Sequence, residues 1–220
     1  MSKLDIELFI FDLDGTLIDS KVDIANSVNH TLGCLSLPAL ENSLIYSYVG
    51  NGVLPLLEKV LANSNRKNNI KKALKIFRAH YEEHLLDNTC FYTGVIEILE
   101  YFSGANMGLV SNKPEQFVKK ILKGLNIDRF FGIVIGGDSL KTKKPEPEGI
   151  HIIMNSFNKA SGKTIIVGDG GVDIQTGKKA GIHTCGVSYG LQDRRELIDA
   201  GAEIIIDHIL ELKDHIIVHR

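Results

Sequence analysis

The stretch LFIFDLDGTLIDS, residues 8–20, decides how the chain is read. Leu8, Phe9, Ile10 and Phe11 form a short branched and aromatic run without polar alternation, the composition of a strand covered on both faces. The run ends in Asp12-Leu13-Asp14. Residues two apart in extended backbone point the same way, so both carboxylates face one side at the end of the strand. Gly15 and Thr16 supply the turn out of it.

Outward from this strand, similar runs recur at MGLV (107–110), FGIVI (131–135), TIIV (164–167), HTCGV (183–187) and EIII (203–206). Helical patterns separate most of them. In PEQFVKKILKGL (114–125), Phe117, Val118, Ile121, Leu122 and Leu125 make one apolar face, and Pro114 suits a first turn. Further helices are predicted over 147–157, 172–180 and 192–200. Strands alternating with helices predict an α/β fold: a doubly wound, Rossmann-like parallel sheet, with its chemistry in loops at the carboxyl ends of the strands.

The first strand breaks this rhythm. From Asp19 to about Thr93 only helical periodicity is legible, as in Ile70, Ala73, Leu74, Phe77, Tyr81 and Leu85, spaced by three or four. The polar stretch NSNRKNN (63–69) reads as a turn between helices. So long an insertion is not a loop, and it predicts a small all-helical cap domain over 19–90, with the core formed by 1–18 and 91–220.

Composition narrows the classes. The 220 residues are 44% hydrophobic and 24% charged, ordinary globular material that needs no disulfide or metal staple to fold. With 25 Lys and Arg against 27 Asp and Glu, the chain offers no field for a polyanion, so no nucleic-acid partner is expected. Cys34, Cys90 and Cys185 are odd in number and far apart, read as reduced and mostly structural. No apolar run reaches the roughly 18 residues of a membrane span, and no export signal is evident. A cytoplasmic protein without a membrane partner is the expectation, and monomer and homodimer stay open.

Four strand ends carry chemistry. Asp12 and Asp14 close the first. Ser111, Asn112 and Lys113 follow MGLV and lead into a helix N-terminus, where free N–H groups attract an anion such as phosphate. Lys144, in KTKKPEPEG, is presented by backbone that Pro145 and Pro147 restrict. Asp169 follows TIIV, and Asp173 comes four residues later. Four converging carboxylates need a cation, and oxygen ligands point to Mg2+ rather than zinc. A carboxylate nucleophile, a second carboxylate, a divalent ion, a lysine and a hydroxyl can move a phosphoryl group through an aspartyl-phosphate.

On FDLDGT, the Ser111 turn, Lys144 with KPEP, and GDGGVD, in that order over essentially the whole chain, the sequence resembles the haloacid dehalogenase superfamily of phosphohydrolases. YSYVGNGV, VSNKP, VIGGDSLKTKKPEP and GVSYG look like its phosphoglycolate phosphatase branch. The resemblance implies Asp12 as nucleophile and Asp14 as the acid that protonates the leaving alcohol and then the base that activates water. It implies Mg2+ held by Asp12, Asp169 and the backbone carbonyl of Asp14, with Asp173 in support, and phosphate gripped by Ser111, Asn112 and Lys144. A proton on Asp14 near neutral pH would need a raised pKa, which a closed cap and the charge of Asp12 would promote. Gly50, Asn51 and Gly52 become a substrate-facing cap loop. Gly170 departs from the serine common in the family, removing a hydroxyl from the site.

The resemblance implies a Mg2+-dependent phosphatase acting on a small phosphorylated metabolite, with hydrolysis of 2-phosphoglycolate to glycolate favoured. A sugar-phosphate phosphatase, a pyrophosphatase and a phosphomutase share the core residues and stay open. Dehalogenation is disfavoured, since Asp14 would have no task there. Outside enzymes, an inactive scaffold and a receiver-like phosphoacceptor remain, although receivers are shorter and lack the insertion. Several other motifs carry less. SGKT (161–164) precedes a strand and has Phe157 where a P-loop needs glycine. GDGGVD lacks the last glycine of a dinucleotide fingerprint. His80 and His84 have metal-ligand spacing without a third ligand and read as an unmetallated pair. Arg66 and Arg78 are candidates for a substrate carboxylate by residue type alone.

Overall fold

The computed structural model describes residues 3–62 and 69–217. The six apolar runs become β2 (Leu8–Phe11), β5 (Asn106–Val110), β6 (Ile133–Ile135), β7 (Thr164–Gly168), β8 (His183–Val187) and β9 (Ile204–Ile206). They form one parallel sheet in the order β6-β5-β2-β7-β8-β9. Renumbered within the sheet this is 3-2-1-4-5-6, the doubly wound order whose crevice opens where the strand order reverses, beside the first strand. β2 is that strand. All four of its residues are buried.

Both faces of the sheet are covered because its strands alternate apolar side chains without polar ones. Phe9 and Phe11 pack with α5 (Val95–Tyr101) and α6 (Glu115–Gly124) through Ile98, Leu99, Phe117 and Ile121. Leu8 and Ile10 face the opposite way, onto Ile150 and Ile153 of α7 (Glu148–Phe157). α8 (Gly171–Ala180) lies on that side too, with Gly177 against Ile166 and Thr184. Each fully buried Leu, Ile or Phe contributes roughly 1.5–3 kcal/mol, so this two-sided core is what fixes the strand ends relative to one another.

Between β3 (Ile18–Asp19) and β4 (Cys90–Phe91) stand α1 (Lys21–Cys34), α2 (Asn42–Tyr46), α3 (Val53–Leu61) and α4 (Ile70–His84). The predicted apolar stripe is real: Ala73, Phe77 and Tyr81 of α4 are buried with Ala25, Val28 and Leu32 of α1 and Leu57 of α3. Tyr81 also meets Phe117 of α6 edge-on, with ring centroids 5.3 Å apart, which ties α4 to the sheet's own layer. The two ends of the insertion are pinned by Asp23. Its buried carboxylate accepts from the backbone N–H of Asn88 at 3.0 Å and of Thr89 at 2.8 Å, and from both their side chains.

Four details differ from the sequence reading. Ile18–Asp19 and Cys90–Phe91 pair as an antiparallel ribbon inside the stretch expected to be purely helical; two residues are too few for periodicity to register. Pro114 precedes α6 in extended backbone instead of opening its first turn. The helix expected over 192–200 starts at Arg194, α9 (Arg194–Ala200), where the Asp193 carboxylate caps it by accepting from the N–H of Arg195. Of the cysteines, all free, only Cys185 is packed inside, while Cys34 and Cys90 are exposed. The predicted turn at 63–69 lies, but for Asn69, outside the described residues, as does Arg66. Short β1 (Leu4–Asp5) pairs in parallel with β10 (Ile216–Ile217), which follows α10 (Leu212–His215). Among the described residues no helix is long and apolar enough to cross a membrane.

Candidate active site

Because β2 lies between β5 and β7, the residues that follow these three strands meet. Asp12 leaves β2 while its N–H still donates to Val167 O of β7 at 2.9 Å. Gly15 then turns the chain at φ +86°, and a Cβ there would stand 2.1 Å from Asp169 Oδ2. At Gly190, in the loop after β8, a Cβ would fall 2.3 Å from Asp169 Cβ. Only glycine lets these two segments close on Asp169.

Asp12, Asp169 and Asp173 bring one carboxylate oxygen each within 4.8 Å of the others, all three residues buried; this is the one such cluster of acidic, His or Cys groups found among the described residues. Asp169 Oδ2 accepts from Leu191 N–H at 2.7 Å, and Asp173 Oδ2 from Gly170 N–H at 3.1 Å. The Lys144 ammonium reaches in with its Nζ 2.7 Å from Asp12 Oδ1 and 2.6 Å from Asp173 Oδ1. The contact to Asp12 is at ion-pair distance but off the hydrogen-bond direction, so Asp12 Oδ1 stays without an aligned donor.

Burial governs the electrostatics. It pushes Asp12 up to about 6, aided by Asp173 and Asp14 and opposed by Lys144. Burial and the charges of Asp12 and Asp173 likewise lift Asp169 well above the ordinary carboxylate range. For Lys144, burial alone would favour loss of the proton, but Asp12 and Asp173 outweigh it and hold the ammonium charged. One cation thus faces three carboxylates. An all-oxygen donor set with an excess of negative charge and an unaligned Asp12 oxygen fits a hard divalent cation.

The other side of Asp12 is built differently. Asp14 accepts two bonds from Lys113 Nζ, at 2.6 Å to Oδ1 and 2.9 Å to Oδ2, and another from the Ser20 hydroxyl. Lys113 is buried; burial would lower it, but the Asp14 charge prevails and holds it above the ordinary lysine range. Its Nζ also lies 4.9 Å from the centroid of the Tyr81 ring. Tyr81 is 1% exposed, and among the described residues its hydroxyl has no aligned hydrogen-bond partner, only the nearby Lys113 ammonium. Burial pushes that phenol up to about 12 despite Lys113.

Ser111 sits buried at the end of β5, its Oγ accepting from Lys113 N–H at 3.3 Å. Asn112 is placed differently from a simple phosphate donor. Its Nδ2 donates to Gly50 O at 3.2 Å and Lys144 O at 3.3 Å, and its Oδ1, an acceptor, is left without a partner. Its amide therefore ties the Gly50–Gly52 loop to the loop carrying Lys144. That loop is also held by Gln192 Nε2 donating to Val49 O at 2.6 Å and Lys143 Nζ donating to Asn51 O at 2.8 Å. A Cβ on Gly52 would meet Asn112 O at 2.9 Å, so the close seat of this loop depends on glycine. At Gly170 a Cβ would meet nothing nearer than 3.5 Å. The lost hydroxyl is not forced by crowding.

Two cavities flank this loop, and Asp12 lines both. One holds Asp169, Gly170 and Asp173; the other holds Asp14, Lys113, Tyr81 and Ser111 beneath the apolar side chains of Ile24, Leu56, Phe77 and Phe117. His80 does have a third histidine near it, His30, but the three rings stack face to face, His30 to His80 at 4.0 Å and His80 to His84 at 4.3 Å. Stacked rings aim their lone pairs sideways, and they do not converge on a metal. Arg78 is exposed on α4. Sequence reasoning passed over Lys113 as a member of the site, although it named the VSNKP turn; its partner Asp14 is 99 positions away.

Known proteins carry the same pattern. The family model for haloacid dehalogenase-like hydrolases matches residues 9–187. A phosphoglycolate phosphatase of Colwellia psychrerythraea is 36% identical over 94% of this chain and 95% of its own length. One of Pseudomonas syringae pv. tomato is 34% identical over 94% of this chain and 78% of its own. The crystal structure titled as a predicted phosphoglycolate phosphatase from Haemophilus somnus superimposes with a TM-score of 0.90 at 28% identity, covering 95% of this chain and 97% of that one. With its doubly wound sheet, its four strand-end motifs and this match, the chain belongs to the haloacid dehalogenase-like hydrolase family.

Proposed function

We propose that the chain is a Mg2+-dependent phosphatase that hydrolyses a small phosphate monoester, 2-phosphoglycolate foremost, through an aspartyl-phosphate on Asp12. The observation that carries the reading is the division around Asp12: an acid cluster with Lys144 on one side, Asp14 in a largely apolar cavity on the other. The phosphoglycolate phosphatases at 34–36% identity over 94% of the chain support the choice of substrate.

Asp12, Asp169 and the Asp14 backbone carbonyl would hold the ion, with Asp173 in support. When bound, Mg2+ neutralises charge on the phosphate and on Asp12. Lys144 and Ser111 orient the phosphoryl group so that an Asp12 oxygen attacks phosphorus while the bond to the ester oxygen breaks. Asp14 gives its proton to that departing oxygen. It then takes a proton from the water that attacks the aspartyl-phosphate, freeing phosphate and restoring Asp12. Lys113 and Ser20 fix the Asp14 carboxylate for both transfers. We assign 1–18 and 91–220 to the catalytic core and 19–90 to a cap carrying Gly50, Asn51 and Gly52. Opening of the cap would admit an ester to the cavity under α3 and α4, and closing it would exclude solvent.

The test is phosphate release from 2-phosphoglycolate, sugar phosphates and pyrophosphate, with Mg2+ and with EDTA, beside Asp12→Asn. Mg2+-dependent release that prefers 2-phosphoglycolate and vanishes in the variant is expected. Preference for a sugar phosphate or pyrophosphate would overturn the substrate, and release that survives Asp12→Asn would overturn the mechanism.

A further inference from the structure

We propose that Lys113 and Tyr81 form the subsite that selects the substrate, by binding a carboxylate carried next to the scissile ester oxygen. This rests on the function proposed above.

The cavity beside Asp14 is walled by Ile24, Leu56, Phe77 and Phe117, and among the described residues the single cation lining it is Lys113. An ammonium in such surroundings discriminates strongly, because water competes weakly and a neutral group cannot replace an anion. Two of its three N–H bonds point at the two oxygens of Asp14, 2.6 and 2.9 Å away, which leaves one donor. Tyr81 presents its ring to the same ammonium at 4.9 Å, and its hydroxyl, in a residue 1% exposed, lies beside Lys113 but has no aligned partner among the described residues. A buried phenol is normally satisfied. Here an ammonium and a phenol, both donors, border the same space, and a carboxylate accepts from both.

Reach agrees with this placement. The leaving oxygen must come within hydrogen-bond distance of Asp14 to receive its proton, and Lys113 is already at that distance from Asp14. In a 2-phospho-carboxylate one carbon separates the ester oxygen from the carboxyl carbon. Such an anion bound at Asp14 therefore lies beside Lys113, in a cavity otherwise walled by apolar side chains. The same pair disfavours uncharged alcohols, which would leave the third Lys113 donor unmet.

The test compares kcat/KM for 2-phosphoglycolate and for ethyl phosphate, the same ester without the carboxylate, in wild type, Lys113→Met and Tyr81→Phe. Ethyl phosphate reports on folding and on Asp14 in each variant. The wild type should prefer 2-phosphoglycolate. The preference should fall about 10- to 100-fold in Lys113→Met and about 3- to 10-fold in Tyr81→Phe. Should Lys113→Met be inactive toward both esters, Tyr81→Phe, which keeps the Lys113–Asp14 pair, decides. A wild-type preference that survives Tyr81→Phe, and falls no further in Lys113→Met than activity on ethyl phosphate does, overturns the subsite and leaves the substrate reading standing. A wild type that does not prefer 2-phosphoglycolate overturns the substrate reading itself.

Discussion

Replacing Lys144 with methionine removes the one cation among the described residues that touches the acid cluster, while keeping most of the side chain's volume. Its Nζ stands 2.7 Å from Asp12 and 2.6 Å from Asp173. At an effective dielectric near 20, each contact is worth about 6 kcal/mol of attraction. The three carboxylates, with oxygens within 4.8 Å of one another, repel by about 3 kcal/mol for each pair. One ammonium therefore roughly balances the repulsion. Without it the carboxylates take up protons to escape their own field, and the net loss is that of a broken buried pair, about 3–5 kcal/mol. For a chain of this length that lowers Tm by roughly 6–20 °C.

The assay is thermal unfolding in EDTA at pH 8 and pH 5.5. Even beside Lys144, Asp12 is pushed up to about 6, and Asp169 is raised well above the ordinary value of 3.8. A carboxylate raised on folding binds more protons in the folded state. The stability this contributes is complete below the unfolded value and is lost as pH rises through the folded one. Lys144→Met should therefore fall farthest behind the wild type at pH 8 and recover part of the deficit at pH 5.5. A deficit under about 1 kcal/mol, or one equal at both pH values, would refute the electrostatic account of the cluster.

Other consequences are open to measurement. Mg2+ should raise the wild-type Tm, by an amount equivalent to about 2.7 kcal/mol at a hundredfold excess over Kd. The rise should be smaller at pH 5 than at pH 7.5, since Asp12 and Asp169 must lose protons to bind, and Asp169→Asn should abolish most of it. Gly15→Ala should cost about 1–2 kcal/mol for its left-handed backbone and more for displacing Asp169, and phosphatase activity should fall with it. Gly170→Ser, where a Cβ would make only ordinary contacts from 3.5 Å outward, should stay within about 0.5 kcal/mol of wild type by urea unfolding. Asp23→Ala strands the donors of Asn88 and Thr89 and should destabilise the chain by about 3 kcal/mol or more; a loss under 1 kcal/mol by urea unfolding would remove Asp23 as the pin of the insertion.

The sheet was legible because its six strands are fully apolar runs separated by helical periodicity, and period and length are local properties. The acidic half of the site was legible for a related reason: Asp12, Asp169 and Asp173 each follow such a run, and strand ends of a parallel sheet meet. Lys113 was not, because nothing near it in sequence says that α4 will bury it beneath Tyr81 and aim it at Asp14. The loop contacts of Asn112 were hidden for a similar reason, since its Nδ2 is engaged by carbonyls of two distant loops. Asp23 escaped notice because an acidic residue in a helix's first turn is ordinary, and its partners lie 65 positions on. Gly15 was read as a turn and Gly190 was given no role, whereas the closer constraint on both is the space that Asp169 fills.

The central claim is that Asp12 takes the phosphoryl group from the substrate. Acid quenching during turnover of 2-phosphoglycolate with Mg2+, followed by mass spectrometry of the peptide containing Asp12, tests it directly. The account predicts a phosphoryl adduct on Asp12 in the wild type that is absent in Asp12→Asn. Full turnover with no adduct on Asp12 under any of these conditions, or an adduct on another residue, would contradict it.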